Sequence, residues 1–497
     1  MKKSNYVSAN KFPLGFRTFL ITLMFSSCIL ITNTLDKDFY FLYSFGKYIS
    51  FNGFPTKDIL SLHADMNIIV QQWLTDILFY HSYELFGQIG VLTIVHASLV
   101  AYIILFYKLC MYISDNFLLS VLTTLFSSIP LAVMFMVSRP QIFSYIIFVL
   151  LLFCLEKYIK TQRKGYLCVL PLLSLLQINL HASMWLMLFI LMLPYLVSCI
   201  NYNFSFYKEP SKCKFIDLLL TMIAMIATAF INPYGSKSLL YLFGSYGLEN
   251  LNLNIREMRA TTITEIKGLV YFCFVFLMIL LFIIYKERSI NLRFICLWLG
   301  TTVLGLTSYK ANAYFYIIGF VASAYFFENF DFPLKVLERK RTKNEKRRLA
   351  LLISLVTIST IYLILSMPET KEKNEGIQDI SPLEPSVAYL DTQNKNDMSL
   401  YAGFNEGSFL EFHGYKPYMD GRAELFLKSK NGEFDYFTEY LCAESGKIYY
   451  KDFLDKYDFT HILVPTGDNH LYISISHDND YQIGYTDENY TVFIPNN

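Results

Sequence analysis

Residues 16–38 read FRTFLITLMFSSCILITNTLDKD. A bilayer-spanning helix takes about 17–25 mainly apolar residues, and the run from Phe16 to Thr34 meets that length. It has no small-residue cleavage site of the kind that marks a removed leader. It therefore reads as a first transmembrane helix, and it delivers Asp36, Lys37 and Asp38 to one face of the membrane.

Composition agrees with that reading. Of 497 residues, 54% are hydrophobic and only 17% charged, against about 25% charged in ordinary soluble domains. Aromatics reach 17%, and Phe and Tyr suit membrane interiors and interfaces. The nine cysteines are scattered, and Cys442 alone lies in the last quarter of the chain. No Cys-x-x-Cys pair or Cys/His spacing suggests zinc, so the cysteines read as small apolar fillers.

Working outward, further spans are expected near 89–107, 117–137, 142–157, 166–180, 183–200, 215–232, 268–285, 292–307, 313–328 and 349–366. The stretch 68–86, IIVQQWLTDILFYHSYELF, is amphipathic and reads as interfacial or re-entrant. Excluding it gives about 11 transmembrane helices and an odd number of crossings. Basic residues test the count, because they concentrate on the cytoplasmic side. With the N-terminus inside, Lys2, Lys3, Lys11, Arg17, Lys157, Lys160, Arg163, Lys164, Lys208, Lys212, Lys214, Lys286, Arg288 and Arg293 all fall there, as does LERKRTKNEKRR at 337–348. That last run reads as a topology determinant that also suits anionic lipid heads, not as a nucleic-acid site.

The expected fold class is thus an α-helical polytopic membrane protein with a small C-terminal α/β domain. Residues 1–366 form the transmembrane region, with a first outer loop at 35–88. Residues 367–385 are a polar, Pro-containing linker, and 386–497 an extracytoplasmic domain with about two acidic residues for each basic one. Within that domain YAGF, HILVP, YQIGYT and YTVFIP alternate with a helical stretch, KIYYKDFLDKYD.

On this topology the unusual polar residues gather on the extracytoplasmic side. They are Asp36 and Asp38, then Asp58 and His63, Arg139 and Gln141, Asn179 and His181, Arg256, Glu257 and Arg259, and Lys310. A charge at membrane depth costs about 2.5–3.5 kcal/mol on insertion scales and tends to mark a functional cavity. Acids and cations converging on one face suit an anionic, lipid-borne substrate.

Five stretches then carry a resemblance: DKDFYFLYSFGKYISFNGFPTKDILS at 36–61, SRPQIFSYIIF at 138–148, INLHAS at 178–183, INPYG at 231–235 and PYMDGRAELF at 417–426. In their order and shared sidedness they resemble the GT-C class of membrane glycosyltransferases, which use polyprenyl-phosphate-linked sugars, and within it a bacterial branch. The resemblance implies transfer of a sugar, with inversion, from a polyprenyl-phosphate donor to an envelope glycan, lipid or protein. It also implies that Asp36 or Asp38 is the catalytic base. Arg139, Arg256 and Arg259, able to grip phosphate with two parallel bonds, and then Lys310 would stabilise the leaving lipid phosphate. Asp58, Gln141, Asn179 and His181 complete the candidate substrate-binding set. No cofactor is assigned, although Asp36 and Asp38 could share a divalent metal. The chain departs from the branch at Gln71-Gln72-Trp73-Leu74, where a His-Glu-Trp-Leu-like segment is usual, and at Lys310-Ala311-Asn312, where an Arg-Asn pair is.

Plainer readings stand beside these. The two aspartates also suit a helix end at the interface, Arg139-Pro140 a snorkelling side chain before a helix start, and His181 a backbone hydrogen bond. Asn232-Pro233-Tyr234-Gly235 is turn chemistry, and Asp420-Gly421-Arg422 a turn held by an Asp–Arg pair. A polysaccharide polymerase or ligase, a transporter or flippase, and a catalytically silent relative remain alternatives. The acidic pair directly after the first span argues against the polymerase. The absence of repeated halves argues against the transporter.

Overall fold

The computed structural model describes residues 14–199, 213–244, 254–284, 291–326, 381–467 and 469–496. The expected span at 349–366, the basic run at 337–348 and most of the linker lie outside the described residues.

Helix α1 (Leu14–Phe25) continues as a tight 3-10 turn through Leu30. After Asp36 the chain turns into α2 (Asp38–Asn52), then through an irregular loop into α3 (Trp73–Ser114). Helix α3 has 42 residues and breaks at Gly87, with φ 60 and ψ −155. Glycine accepts that conformation without a Cβ clash. The break separates an amphipathic limb, Trp73–Phe86, from a long apolar one, which is where the pattern changes between 68–86 and 89–107.

Helices α4 (Phe117–Met134), α5 (Gln141–Thr161), α6 (Val169–Leu180), α7 (Trp185–Ser198) and α8 (Phe215–Ala229) follow, then α9 (Ser236–Gly244), α10 (Ile266–Ile284), α11 (Leu292–Thr307) and α12 (Asn312–Phe326). Among the described residues α3, α4 and α5 are long and apolar enough to cross a membrane, and the shorter apolar helices are α1 with its 3-10 turn, α6, α7, α8, α10, α11 and α12. Helix α8 shows what surrounds them. It buries Leu218, Thr221, Met225 and Ala229 on one stripe, while Ile216, Leu219, Leu220, Ile223 and Ile226 are exposed on the other. A helix apolar all round belongs in lipid, not water.

The tail begins with a 3-10 turn at Ser381–Leu383 and α13 (Glu384–Leu390). The last residues expected to be linker, 381–385, are therefore helical, with Pro385 in the first turn, where its missing N–H costs nothing. Then come β1 (Leu400–Tyr401), α14 (Gly407–Phe412), α15 (Tyr436–Glu444), α16 (Tyr450–Lys456), β2 (His461–Pro465), α17 (His470–Ser476), β3 (Tyr481–Thr486) and β4 (Tyr490–Pro495). The sheet order is β1-β2-β4-β3, with β1 parallel to β2 and the other pairs antiparallel. Ile462, Leu463 and Val464 are buried, facing Phe493, Val492 and Thr491 across the ladder.

The tail is not an appended bead. One apolar cluster runs from the bundle through Phe39 and Phe45 of α2 into Tyr401, Tyr418, Met419 and Phe426 of the tail. Tyr40 packs edge-on against Phe409 and Phe412 of α14, with ring centres 5.0 and 5.3 Å apart. This joint sets one end of the bundle, and the charged loops lie beneath it.

Candidate active site

The acidic pair is held by its own turn and by the loop before α5. Asp36 is 2% exposed, and its N–H donates to Ser138 Oγ at 2.8 Å. The Asp38 N–H in turn donates to Asp36 Oδ1 at 3.0 Å. Arg139, just before α5, reaches across: Nε donates to Asp36 Oδ1 at 2.7 Å, and Nη1 lies 3.2 Å from Asp38 Oδ2 and 3.2 Å from Glu257 Oε2. Lys310 Nζ stands 3.6 Å from Glu257 Oε1. The last two residues are registered by backbone bonds, Lys310 N–H to Glu257 O at 3.0 Å and Tyr309 N–H to Arg259 O at 3.2 Å. Three carboxylates and two cations from four separate chain segments thus meet at the tail-bearing end of the bundle.

Their environments differ. Burial pushes the Asp38 carboxyl up to about 6; Arg139 opposes this and the neighbouring Asp36 reinforces it. Burial would raise Glu257 too, but Lys310 and Arg139 hold it below the usual carboxylate range. Asp36 is locked and inaccessible, whereas the Asp38 side chain keeps 20% of its surface. Of the two aspartates Asp38 is the more accessible, and the Glu257 side chain, 42% exposed, is more open than either.

The other expected residues divide. Gln141 is buried in the first turn of α5, two residues beyond Arg139. Arg256 lies on the Glu257 loop and pairs with Glu265 at 3.3 Å, and Arg259 is exposed on the same loop. His181 is bonded at both ring nitrogens, to Ser144 Oγ at 3.0 Å and Ser183 Oγ at 2.8 Å, and burial together with nearby Lys310 keeps it neutral. Asn179 is occupied in the framework: it accepts from Trp73 Nε1 at 2.8 Å and donates to the Ile231 carbonyl at 3.0 Å.

Asp58 belongs to a second cluster. Arg422 Nη1 donates to Asp58 Oδ1 at 2.5 Å, and Nη2 approaches Asp420 Oδ2 at 2.5 Å and Glu411 Oε1 at 3.3 Å. Burial alone would raise the Asp58 carboxyl, but Arg422 holds it below its ordinary value. Burial and the adjoining Asp420 push the Glu411 carboxyl well above its ordinary range. Nearby, His63 stacks on Tyr436 with ring centres 3.8 Å apart, and burial pushes it down to about 4. The first loop is therefore plugged into the tail at two points. Removing one partner of a buried ion pair costs about 3–5 kcal/mol. Arg422→Ala is accordingly expected to lower the melting temperature in detergent and to open the 53–72 loop to limited proteolysis.

Glu257 and Glu411 join these clusters without a motif to announce them. Asp76 is a third such acid, wholly buried with both carboxylate oxygens lacking a hydrogen-bond partner. The divalent cation that Asp36 and Asp38 could share has a competitor, because the Arg139 guanidinium already bridges both carboxylates and Glu257. Among the described residues no group of three or more His, Cys, Asp or Glu is arranged to hold a metal ion. The donor set does not fit one.

No family model matches the chain, and no curated protein matches it. Solved structures do. The oligosaccharyltransferase of Archaeoglobus fulgidus, tethered with an acceptor peptide, superposes with a TM-score of 0.60 at 13% identity, covering 92% of this chain and 70% of that one. ArnT from Cupriavidus metallidurans, bound to undecaprenyl phosphate, gives a TM-score of 0.56 at 11% identity, covering 98% of each chain. Both are membrane glycosyltransferases of the GT-C fold.

Proposed function

From the premise that this chain has the GT-C fold, we propose that it is a membrane glycosyltransferase. It takes a sugar from a polyprenyl-phosphate donor and passes it to a hydroxyl of an envelope acceptor at the extracytoplasmic face. The observation that carries this reading is the gathering of Asp36, Asp38, Arg139, Glu257 and Lys310 at one end of the bundle, under the tail.

Asp38 removes the acceptor proton as the acceptor oxygen bonds to the anomeric carbon. The bond from that carbon to the phosphate oxygen breaks on the opposite face, and polyprenyl phosphate leaves with the electron pair, inverting the centre. Asp36 holds Arg139 and the Asp38 backbone in place. Lys310 and Arg256, with side chains 36% and 42% exposed, and Arg259, exposed on the same loop, are the cations that meet the leaving phosphate. Arg139 lies against Asp36, Asp38 and Glu257 and serves as their counter-ion. The N-terminus then lies in the cytoplasm and the tail outside, with about 11 crossings.

A second reading takes a lipid-linked oligosaccharide as the donor, in kind with the oligosaccharyltransferase to which the chain is similar. Supplying purified protein with polyprenyl-linked monosaccharides or oligosaccharides separates the two. For either donor, the test of the site is the surface glycan of cells carrying Asp36→Asn, Asp38→Asn and the double change. Loss of the wild-type glycan supports the site, and three wild-type profiles remove the acidic pair from the mechanism.

With Arg139 as counter-ion, transfer is expected to persist, within about twofold, after dialysis against a chelator. The count of transferred sugar before and after dialysis checks this, and a loss of tenfold or more that added Mn²⁺ or Mg²⁺ restores would contradict it.

A further inference from the structure

The tail forms one wall of the carboxylate assigned as base. A Cβ built on Gly421 would lie 3.0 Å from Asp38 Oδ1, 3.2 Å from Ser408 Oγ and 3.7 Å from the Phe41 ring. The Gly421 backbone therefore lies against Asp38, and a side chain there would crowd it.

The turn that presents Gly421 is fixed on both sides. Asp420 is fully buried, and its Oδ1 accepts from Arg422 N–H at 2.7 Å. Gly421 N–H donates to Ser408 Oγ at 3.2 Å, and Arg422 is fastened to Asp58 on the first loop. Lys37 is gripped as well: Nζ donates to Asn405 Oδ1 at 2.6 Å and sits 4.9 Å from the centre of the Phe404 ring. The tail thus touches two successive residues of the Asp36-Lys37-Asp38 triplet.

We propose that the Asp420-Gly421-Arg422 turn is part of the active site, a positioning element that fixes the orientation and burial of the Asp38 carboxylate. The proposal rests on the reading of Asp38 as base. It makes the tail a component of the catalytic machinery.

Two measurements test it. An Asp38→Cys/Gly421→Cys variant is expected to form a disulfide between these positions on mild oxidation in membranes, detected by mass spectrometry; this arm reads the contact without needing activity. Gly421→Ala is expected to fold, to lose about tenfold or more in kcat with an unchanged KM for donor, and to move the acid limb of the pH–rate profile upward. The added methyl further excludes water from Asp38, which disfavours its charged form. Ser408→Ala, which removes the hydrogen bond without adding bulk, is expected to lose less.

A failure of the two cysteines to join overturns the contact. An active wild type whose Gly421→Ala variant has the same kcat and pH profile overturns the positioning role alone. A wild type with no transfer from any lipid-linked donor overturns the glycosyltransferase reading itself.

Discussion

Replacing Arg139 by alanine is expected to abolish transfer and to weaken the fold together. The guanidinium is 10% exposed and lies within 3.2 Å of Asp36, Asp38 and Glu257. Without it three carboxylates face one another at the bundle end, with Lys310 paired to only one of them. Breaking a buried pair from one side costs about 3–5 kcal/mol. Loss of one preorganised charge in an active site costs about 10²–10³ in kcat. The combined expectation for Arg139→Ala is a fall of at least about 10³-fold, with a lower melting temperature. Arg139→Lys keeps the charge but not the planar fork, so one ammonium cannot serve the same three partners. It should recover stability more than activity. Melting curves and transfer rates on the same preparations check both statements, and an Arg139→Ala protein with wild-type values for both would contradict them.

The second large effect concerns Asp38. A positioned general base contributes about 10²–10⁴-fold, so Asp38→Asn is expected to lose transfer by that factor while still binding donor. The wild-type rate should fall as pH drops through about 6, where burial places the Asp38 carboxyl, because the protonated acid accepts no proton. Asp36→Asn should move that limb to lower pH, since removing the neighbouring negative charge makes Asp38 easier to ionise. Stability runs the other way. A carboxyl raised on folding favours the native state fully below the unfolded-state value, and that contribution is lost as pH rises through about 6. Activity and stability should therefore change in opposite senses across the same interval.

Much of this site is legible in the sequence, for a physical reason. A charge inside apolar surroundings is costly enough to stand out, so Asp36, Asp38 and Arg139 are conspicuous next to their spans. The change from amphipathic to uniformly apolar pattern places the break in α3 near Gly87. The strands of the tail follow from short β-branched and aromatic runs, and HILVP, YQIGYT and YTVFIP coincide with β2, β3 and β4.

What is not legible is pairing at a distance. Asp58 and Arg422 are 364 residues apart, and nothing in either local pattern names the other. Glu257 sits between two arginines in an ordinary polar loop, and only its backbone register with Lys310 brings it to Arg139. The tail reads as a separate domain because its boundary is polar. The contact of Gly421 with Asp38 depends on a missing side chain, which leaves no signal in composition or periodicity.

The most direct test is made with purified protein in lipid nanodiscs and a panel of polyprenyl-phosphate-linked mono- and oligosaccharides, following release of the free polyprenyl phosphate by mass spectrometry. The wild type is expected to release polyprenyl phosphate from at least one donor, and Asp38→Asn to release none above background. Equal release by the two proteins, or none by the wild type from any donor in the presence of a membrane extract as acceptor, would contradict this expectation.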